Sequence, residues 1–173
     1  AVRNVLTGEV RIDSSQIRDQ FNNLSDTTNP DYGLYIDSSH VVISNTLFTN
    51  NGNYRYNDFA LYVTGANTAL TMLDSTVQNN TARPLRMEIA QFTRSRLQDN
   101  HITGNGSSNL LLADLPFATD VSLPQVGLPY QLSGDVVVTR GVTLTLEPGV
   151  TMLMPTGSEL QVKGHLAAIG TAT

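Results

Sequence analysis

Three charged side chains in the repetitive part of this sequence could bind an acidic sugar. Asp74 and Arg94 stand at the same outward position of two similar repeats, and Arg96 follows two residues later. A carboxylate beside guanidinium groups could hold a uronate, alone or together with a calcium ion. The alternative is a surface ion pair worth about 0–1 kcal/mol, the commoner outcome for exposed pairs. We assign no catalytic residue, because the two neighbouring carboxylates that glycoside hydrolysis needs do not occur together.

Two tyrosines and an arginine form a second candidate site. Tyr35 and Tyr62 occupy equivalent positions in successive repeats, and Arg86 occupies the next one. Each alternates with aliphatic residues that we expect inside, so all three should point outward. Flat aromatic faces beside an Arg can stack on sugar rings or hold a partner surface. The alternative, which we favour, is cross-strand stacking that stabilises a sheet by about 0.2–1 kcal/mol per pair.

Metal-binding chemistry has weaker support. Asp26, Asn29 and Asp31 offer oxygen atoms around Pro30, so a calcium ion could bind there. The regular ligand series of calcium loops is missing, and turn chemistry is favoured. The sequence contains no Cys, which excludes thiolate zinc sites and thiol nucleophiles. The histidines are scattered among different structural contexts: His40, His101 and His165. We therefore predict no metal site and no cofactor, with calcium as the one ion left open.

Composition narrows the classes of partner. The chain has 173 residues, and 40% of them are hydrophobic, which is close to the norm for a folded protein. Its net charge of −5 argues against the basic face that a nucleic-acid partner requires, so we expect no nucleic-acid partner. No apolar run approaches the roughly 20 residues that span a bilayer, so we expect no membrane span. The abundance of Asn, Thr, Ser and Gly is typical of exported β-rich proteins, and we expect a secreted or cell-surface protein.

Two sets of repeats must position the candidate side chains. In the first set a small polar residue, an aliphatic residue and an Asn recur at fixed offsets, and the aliphatic positions advance by 30, 30 and 20 residues. Its members are 44–50, 74–80, 94–100 and a weaker copy at 14–20. The second set advances by 27, 24 and 25 residues through Leu34, Leu61, Leu85 and Leu110. Internal similarity at such a period marks a stacked-repeat architecture.

The repeats predict short strands and no regular helix. Each repeat holds two or three runs of about three to five residues in which apolar and polar residues alternate. Such strands are typical of a parallel β-helix, in which each turn stacks on the previous one about 4.8 Å away. We therefore predict an all-β, single-stranded solenoid with equivalent side chains stacked inside. The predicted inward stacks are Leu34, Leu61 and Leu85 in one column and Ile17, Leu47, Val77 and Leu97 in the other.

Stacked amide side chains are expected at one corner of each turn. A tight corner leaves backbone groups unpaired, and each costs about 1–3 kcal/mol when it is buried. An Asn amide offers both donors and an acceptor, so stacked copies can bond each other and the corner backbone. The alternative is that Asn is simply a common turn residue. The predicted ladder consists of Gln20, Asn50, Asn80 and Asn100.

The sequence divides into three predicted parts. Residues 1–114 form β-helix turns with the Asn ladder, and residues 22–31 and 51–58 are insertions that project to one side. Residues 115–129 form a linker or crossover, because several Pro and Gly residues interrupt the strand pattern. Residues 130–173 form the opening turns of a second β-helix segment, with alternating apolar residues and Gly-containing turns.

The third part carries a resemblance to a known family. Residues 132–150, with Val136-Val-Val138 and Leu144-Thr-Leu146, and residues 160–170 resemble the opening turns of right-handed parallel β-helix proteins. Those form the pectate-lyase-like superfamily, which includes many bacterial surface and secreted proteins. The resemblance implies a right-handed coil and leaves the activity open. In that family the opening turns precede the Asn-ladder turns, whereas here they come last, which favours a unit of a longer protein or coils that meet end to end.

Two main functions follow as expectations. The first is a non-catalytic extracellular structural or adhesive module, a unit of a filament, sheath or large surface protein that associates end to end. The second is a carbohydrate-active fragment that binds or cleaves acidic polysaccharide through the tyrosines and the charged residues above. A third interpretation is a monomeric polysaccharide-binding module. The enzyme question stays open, with the non-catalytic interpretation favoured.

Overall fold

The chain folds into a parallel β-helix. The computed structural model describes residues 1–5, 7–20, 30–52, 58–113 and 117–170. Within these ranges the chain forms short β-strands and one four-residue helix, and the paired strands run parallel to each other. The predicted all-β solenoid is therefore confirmed. The insertion at 22–31 lies mostly outside the described residues, as does the centre of the insertion at 51–58.

One sheet runs the whole length of the coil, and we call it the long sheet. Its seven strands follow one another in chain order, and each belongs to a new turn. In spatial order they are β1 (Val2–Arg3), β4 (Tyr32–Asp37), β7 (Phe59–Thr64), β10 (Arg83–Glu88), β13 (Leu110–Ala113), β15 (Tyr130–Leu132) and β18 (Met152–Leu153).

Two further sheets complete the first four turns. The second sheet contains β2 (Val10–Asp13), β5 (His40–Ser44), β8 (Ala69–Leu73) and β11 (Arg96–Gln98). The third sheet contains β3 (Gln16–Arg18), β6 (Leu47–Thr49), β9 (Thr76–Gln78) and β12 (His101–Thr103). Only two residues separate β5 from β6, β8 from β9 and β11 from β12, so each turn passes from the second to the third sheet through one tight corner.

The later turns use two other sheets. The fourth sheet contains β14 (Val121–Leu123), β17 (Thr143–Leu146) and β20 (His165–Ala168), and the fifth contains β16 (Val136–Val138) and β19 (Leu160–Val162). The helix α1 (Ile89–Phe92) lies between β10 of the long sheet and β11 of the second sheet, and it packs against β10 and β14. Pairing of β13 with β15 carries the long sheet across residues 115–129, and the division into two β-helix segments stays a prediction.

The interior is built from stacked columns of apolar side chains. Leu34 pairs with Leu61, and Leu61 pairs with Leu85, so this predicted column is present in the structure. All three side chains are buried, with exposed fractions of 7% or less. Alternation along β4 buries one face of the long sheet and leaves the other half-buried, whereas all four residues of β13 are buried.

The second predicted column is wrong at two positions. Ile17 pairs with Phe48, and Phe48 pairs with Val77, so Leu47 lies one residue away on the outer face. The next member is Ile102, which pairs with Val77. Leu97 pairs with Met72 and belongs to the second sheet. The repeat containing Leu97 resembles the others because both corners of a turn have similar polar chemistry.

The amide ladder keeps Asn80 but differs from the prediction at two of its members. Asn51 Nδ2 donates to Asn80 Oδ1 (2.8 Å), and Asn80 Nδ2 donates to Asn105 Oδ1 (2.7 Å). The backbone N–H of Gln20 donates to Asn51 Oδ1 (3.3 Å), which places Gln20 at the end of the ladder. The predicted members Asn50 and Asn100 are corrected to Asn51 and Asn105. Asn51 and Asn80 are buried, so their amides satisfy corner groups that water does not reach.

The two residues that left the predicted ladder have other roles. Asn50 precedes Asn51 and adopts a left-handed conformation with φ of 55°, which Asn tolerates better than most residues. Asn100 lies at the corner between the second and third sheets, where its Oδ1 accepts from the Ser75 N–H (3.0 Å) and its Nδ2 donates to the Met72 carbonyl (2.8 Å). Each corner thus combines a left-handed residue with a polar side chain that bonds the neighbouring turn.

Candidate functional site

Tyr35, Tyr62 and Arg86 lie together on the outer face of the long sheet. Tyr35 pairs with Tyr62, and Tyr62 pairs with Arg86, so the three side chains stand in successive turns. The ring centroids of the two tyrosines are 5.2 Å apart, and the Arg86 guanidinium carbon lies 4.4 Å from the Tyr62 ring centroid. The structure therefore brings this predicted group together.

Two residues that the sequence analysis did not select extend the group. The Arg3 guanidinium carbon lies 4.8 Å from the Tyr35 ring centroid, and the Tyr32 ring stacks on Tyr62 with centroids 4.9 Å apart. Arg3 was missed because β1 has two residues and belongs to no repeat. Tyr32 could have been found from its place at the start of the repeat that contains Tyr35. We call the five residues Arg3, Tyr32, Tyr35, Tyr62 and Arg86 the Tyr–Arg surface.

Tyr32 contributes a neutral hydroxyl to this surface at neutral pH. Burial raises the pKa of Tyr32 above its ordinary value, the neighbouring Tyr35 raises it further, and Arg86 opposes the rise. The Tyr32 hydroxyl and the positive guanidiniums can therefore donate to the same ligand. Each guanidinium also lies against an aromatic ring, an arrangement worth about 0.5–1 kcal/mol at exposed sites.

A depression of about 410 Å³ adjoins the Tyr–Arg surface. Tyr32, Phe59 and Arg86 form part of its lining, and Leu111 and Ala113 of the next turn add apolar surface. Leu111 follows Arg86 in the register of the long sheet. A flat ligand with an apolar face and an anionic or hydroxyl-rich edge fits this combination of rings, aliphatic groups and a guanidinium.

The structure does not bring Asp74 together with Arg94 and Arg96. Asp74 is exposed at the corner after β8, where its φ is 47° and its N–H donates to the Gln98 carbonyl (3.3 Å). Arg94 follows α1 and donates to the Ala66 carbonyl, whereas Arg96 donates to the Gln98 side chain (2.8 Å). The ion pairs of the described residues include those of Arg11 with Glu9 and of Arg18 with Asp19.

The predicted calcium loop lies largely outside the described residues, which exclude Asp26 and Asn29. Asp31 is described and buried, and its N–H donates to Asp58 Oδ1 (2.9 Å). No cluster of three or more His, Asp or Glu side chains suited to a metal ion occurs in the described ranges. The histidines stand apart at the starts of three strands, β5, β12 and β20.

The fold and the site define a parallel β-helix that presents aromatic and cationic side chains on the outer face of its long sheet. Among the described residues, the structure has no helix that is both long and apolar enough to cross a membrane. Comparisons with protein-family models, with curated proteins and with solved structures found no match for this chain.

Proposed function

We propose that this chain is a non-catalytic extracellular structural or adhesive β-helix module, one unit of a filament, sheath or large surface protein. We further propose that it is a secreted or cell-surface relative of the right-handed pectate-lyase-like proteins of bacteria. One observation carries the structural role: the described strands stack turn on turn along one axis, and at the first and last described turns they present edges that no other described strand covers. Edges of this kind pair with a further turn, whether that turn belongs to the same protein or to a second copy.

The last turn has the side-chain pattern of an interior turn without its burial. Leu160 and Val162 pair with Val136 and Val138, which are fully buried, yet their own exposed fractions are 38% and 43%. The first turn is similar, because its inward residues are only half-buried: Val10, Ile12 and Ile17. A second copy stacked on either end would bury aliphatic surface at about 25 cal/mol per Å² and extend the backbone hydrogen bonding. A head-to-tail contact of this kind does not close on itself and produces fibres.

Light scattering over a concentration series, combined with electron microscopy, tests the structural role. We expect particles that grow along one axis as concentration rises. Val162→Lys places a charge in the open interior of the last turn and should suppress growth. Gln161→Lys is the matched control, because Gln161 pairs with Val137 on the outer side of the same strand pair. A monodisperse monomer at all concentrations, or equal growth of both variants, would contradict the proposal.

A second candidate function is binding or cleavage of acidic polysaccharide, and the Tyr–Arg surface favours it. Its side chains recur in successive turns about 4.8 Å apart, so successive sugar rings of an elongated chain could meet successive turns. Aromatic rings would stack on the apolar faces of the sugars, and Arg3 and Arg86 would pair with their carboxylates. A monomeric polysaccharide-binding module would have the same surface without end-to-end growth.

Binding and cleavage need separate assays. Calorimetry with a polyuronate should show binding that Arg86→Ala weakens about tenfold or more if the guanidinium pairs with a carboxylate. Arg140→Ala, on the last-turn side of the coil and exposed, is the control for nonspecific charge effects. A lyase or hydrolase assay on uronates with and without calcium should show activity that Asp74→Asn changes only if the chain is an enzyme. Unaltered binding by Arg86→Ala would contradict the role of the surface.

A further inference from the structure

We propose that the edge formed by β11 and β12 binds one extended peptide segment of a partner protein. The segment would add a strand to the second sheet and then a strand to the third. Its chemistry follows from the turns already present: two aliphatic residues five positions apart, an Asn, Ser or Thr between them, and an acidic residue directly before the first aliphatic one. This site is separate from the Tyr–Arg surface and from both ends of the coil.

The second and third sheets stop inside the chain although the long sheet continues. β11 pairs with β8, and β12 pairs with β9, but of the described strands none pairs with the opposite edge of either. Gln98 and His101 direct their backbone bonds to the previous turn, at Asp74 and Ser75. Because bonding direction alternates along a parallel strand, Leu97 and Ile102 direct their N–H and C=O groups to the open edge.

The interior beneath this edge is open. Met72 and Val77 of the previous turn are each 1% exposed, whereas Leu97 and Ile102, which pair with them, are only half-buried. A cleft of about 330 Å³ lies at these two side chains. Val126 of a later turn also lines this cleft. A strand seated in the cleft would bury Leu97 and Ile102 in the way that β11 and β12 bury the turn before.

The four existing turns fix the spacing of the missing strand. In each turn the inward residue of the second sheet and that of the third sheet are five positions apart. These pairs are Ile12 and Ile17, Ile43 and Phe48, Met72 and Val77, and Leu97 and Ile102. The same contact between successive turns is thus made three times within the chain, and the partner segment would make it a fourth time.

The corner between β11 and β12 favours a polar residue in the partner. The Ser75 N–H donates to Asn100 Oδ1 of the following turn (3.0 Å), and the Thr46 N–H donates to Ser75 Oγ (3.1 Å). Both of these corner N–H groups therefore bond a side-chain oxygen of the turn that follows. A partner residue three positions after the first aliphatic residue would bond Asn100 in the same way, which accounts for the Asn, Ser or Thr.

Arg96 favours an acidic neighbour. It is exposed on β11, pairs with Thr71 of the previous turn, and takes part in none of the ion pairs found among the described residues. Opposite charges on directly paired strand residues are favourable, and like charges are unfavourable. The position before the first aliphatic residue of the partner lies beside Arg96, so Glu or Asp fits there and Lys does not.

A labelled peptide tests the proposal on the complete chain. The probe is a synthetic peptide of residues 69–80 carrying Thr71→Glu, because this segment has the required spacing and corner. Fluorescence anisotropy should show saturable binding. The control peptide has one Ser inserted after Leu73, which makes the aliphatic spacing six, and it should bind about tenfold more weakly or worse because one aliphatic residue then faces solvent. Equal binding of the two peptides, or no binding of either, would overturn the proposal.

A charge exchange and a pair of edge variants sharpen the result. Arg96→Glu should weaken binding of the probe, and a peptide carrying Thr71→Lys should restore it. Leu97→Lys should abolish binding, whereas Thr103→Lys, which adds the same charge on the outer side of β12, should not. If Leu97→Lys fails to fold, the inserted peptide and the charge exchange still decide. Peptide binding that is unchanged in Arg96→Glu, or a cleft that binds only small apolar molecules, would also overturn the proposal.

Discussion

The first four turns and the later turns build the same coil with different corners. The non-glycine residues with positive φ all lie between Asn4 and Asp99 among the described residues, whereas between 117 and 170 the positive-φ positions are glycines such as Gly127 and Gly141. The earlier corners also carry the amide ladder of Asn51, Asn80 and Asn105. Hydrogen bonds from polar side chains to the next turn thus stabilise Asn, Asp and Ser in the strained positive-φ conformation of a corner. In the later turns Gly adopts this conformation instead.

This difference has a structural consequence. A ladder specifies the position of each corner relative to its neighbours, because every amide must meet the next one at hydrogen-bond distance. A glycine has no side chain with which to bond the next turn. The later turns use isolated side-chain bonds, such as those from the Thr143 N–H to Asp120 Oδ1 (2.7 Å) and from the Glu159 N–H to Asp135 Oδ1 (3.1 Å). The earlier turns are accordingly held by a ladder of amides as well as by strands, and among the described residues the exposed large hydrophobic side chains all lie between Leu153 and Ile169.

The largest effect should come from the interior column of the earlier turns. Phe48→Ala removes a fully buried ring and should lower the free energy of unfolding by about 4 kcal/mol. Leu47→Ala, one residue away on the outer face, should cost about 1 kcal/mol or less. Urea unfolding of both variants measures the difference. A larger loss for Leu47→Ala would restore the register that the sequence predicted and contradict the structural one.

The ladder should give the next largest effect. Asn80→Ala leaves the Asn51 N–H and the Phe48 carbonyl without their partner in a buried corner, so we expect a loss of about 2–3 kcal/mol. Asn50→Ala is the matched control, because Asn50 is exposed, has positive φ and donates from Nδ2 to Asp19 Oδ1 at a site that water reaches. Thermal unfolding should rank Asn80→Ala well below Asn50→Ala. Equal melting temperatures would show that the ladder adds nothing beyond ordinary turns.

A glycine corner of the later turns should be less sensitive. Gly141 has φ of 77°, and a Cβ atom added there would meet no atom within 4 Å. Gly141→Ala therefore costs backbone strain alone, about 1–2 kcal/mol. Gly141→Asn should cost less, since Asn accepts the left-handed region more readily. Denaturant unfolding of the two variants checks this order, and an Asn variant less stable than the Ala variant would contradict it.

The smallest effect concerns acid. Hydrogen bonds from Ser44 and Asn45 hold the pKa of Asp13 below its ordinary value. A lowered pKa in the folded state stabilises the protein at neutral pH, and this contribution is lost as pH falls below about 4. The melting temperature of the native chain should therefore fall slightly more than that of Asp13→Asn between about pH 7 and about pH 2.5. Parallel pH profiles of the two proteins would show no contribution from Asp13.

The sequence reveals the period of the coil more reliably than its register. Leu34, Leu61 and Leu85 can be identified because each is followed by an outward Tyr or Arg and then by another apolar residue. Leu47 and Phe48 are both apolar, and Asn50 and Asn51 are identical, so a shift of one residue leaves the pattern intact. The pairing of Phe48 with Ile17 and Val77 shows that Phe48, and not Leu47, faces the interior. Such pairing depends on neighbouring turns, so one repeat of the sequence does not reveal it.

The candidate site shows the same limit. The column of Tyr35, Tyr62 and Arg86 follows from repeat spacing alone, and the structure places these side chains in contact. Arg3 reaches the same surface from a strand outside the repeats, so no periodicity identifies it. Asp74 and Arg94 matched in the repeat pattern but separate in space, because α1 intervenes before β11 and shifts the later repeat to another corner.

Among the described strands, only the β10–β13 pairing joins the fourth turn to the fifth, since the second and third sheets end at β11 and β12. Inter-turn bonds lie along the coil axis, so tension along that axis would load this single sheet. The molecule should accordingly fracture or flex first between Glu88 and Leu110. Successive turns are joined there by one sheet, whereas three sheets join them in the first four turns.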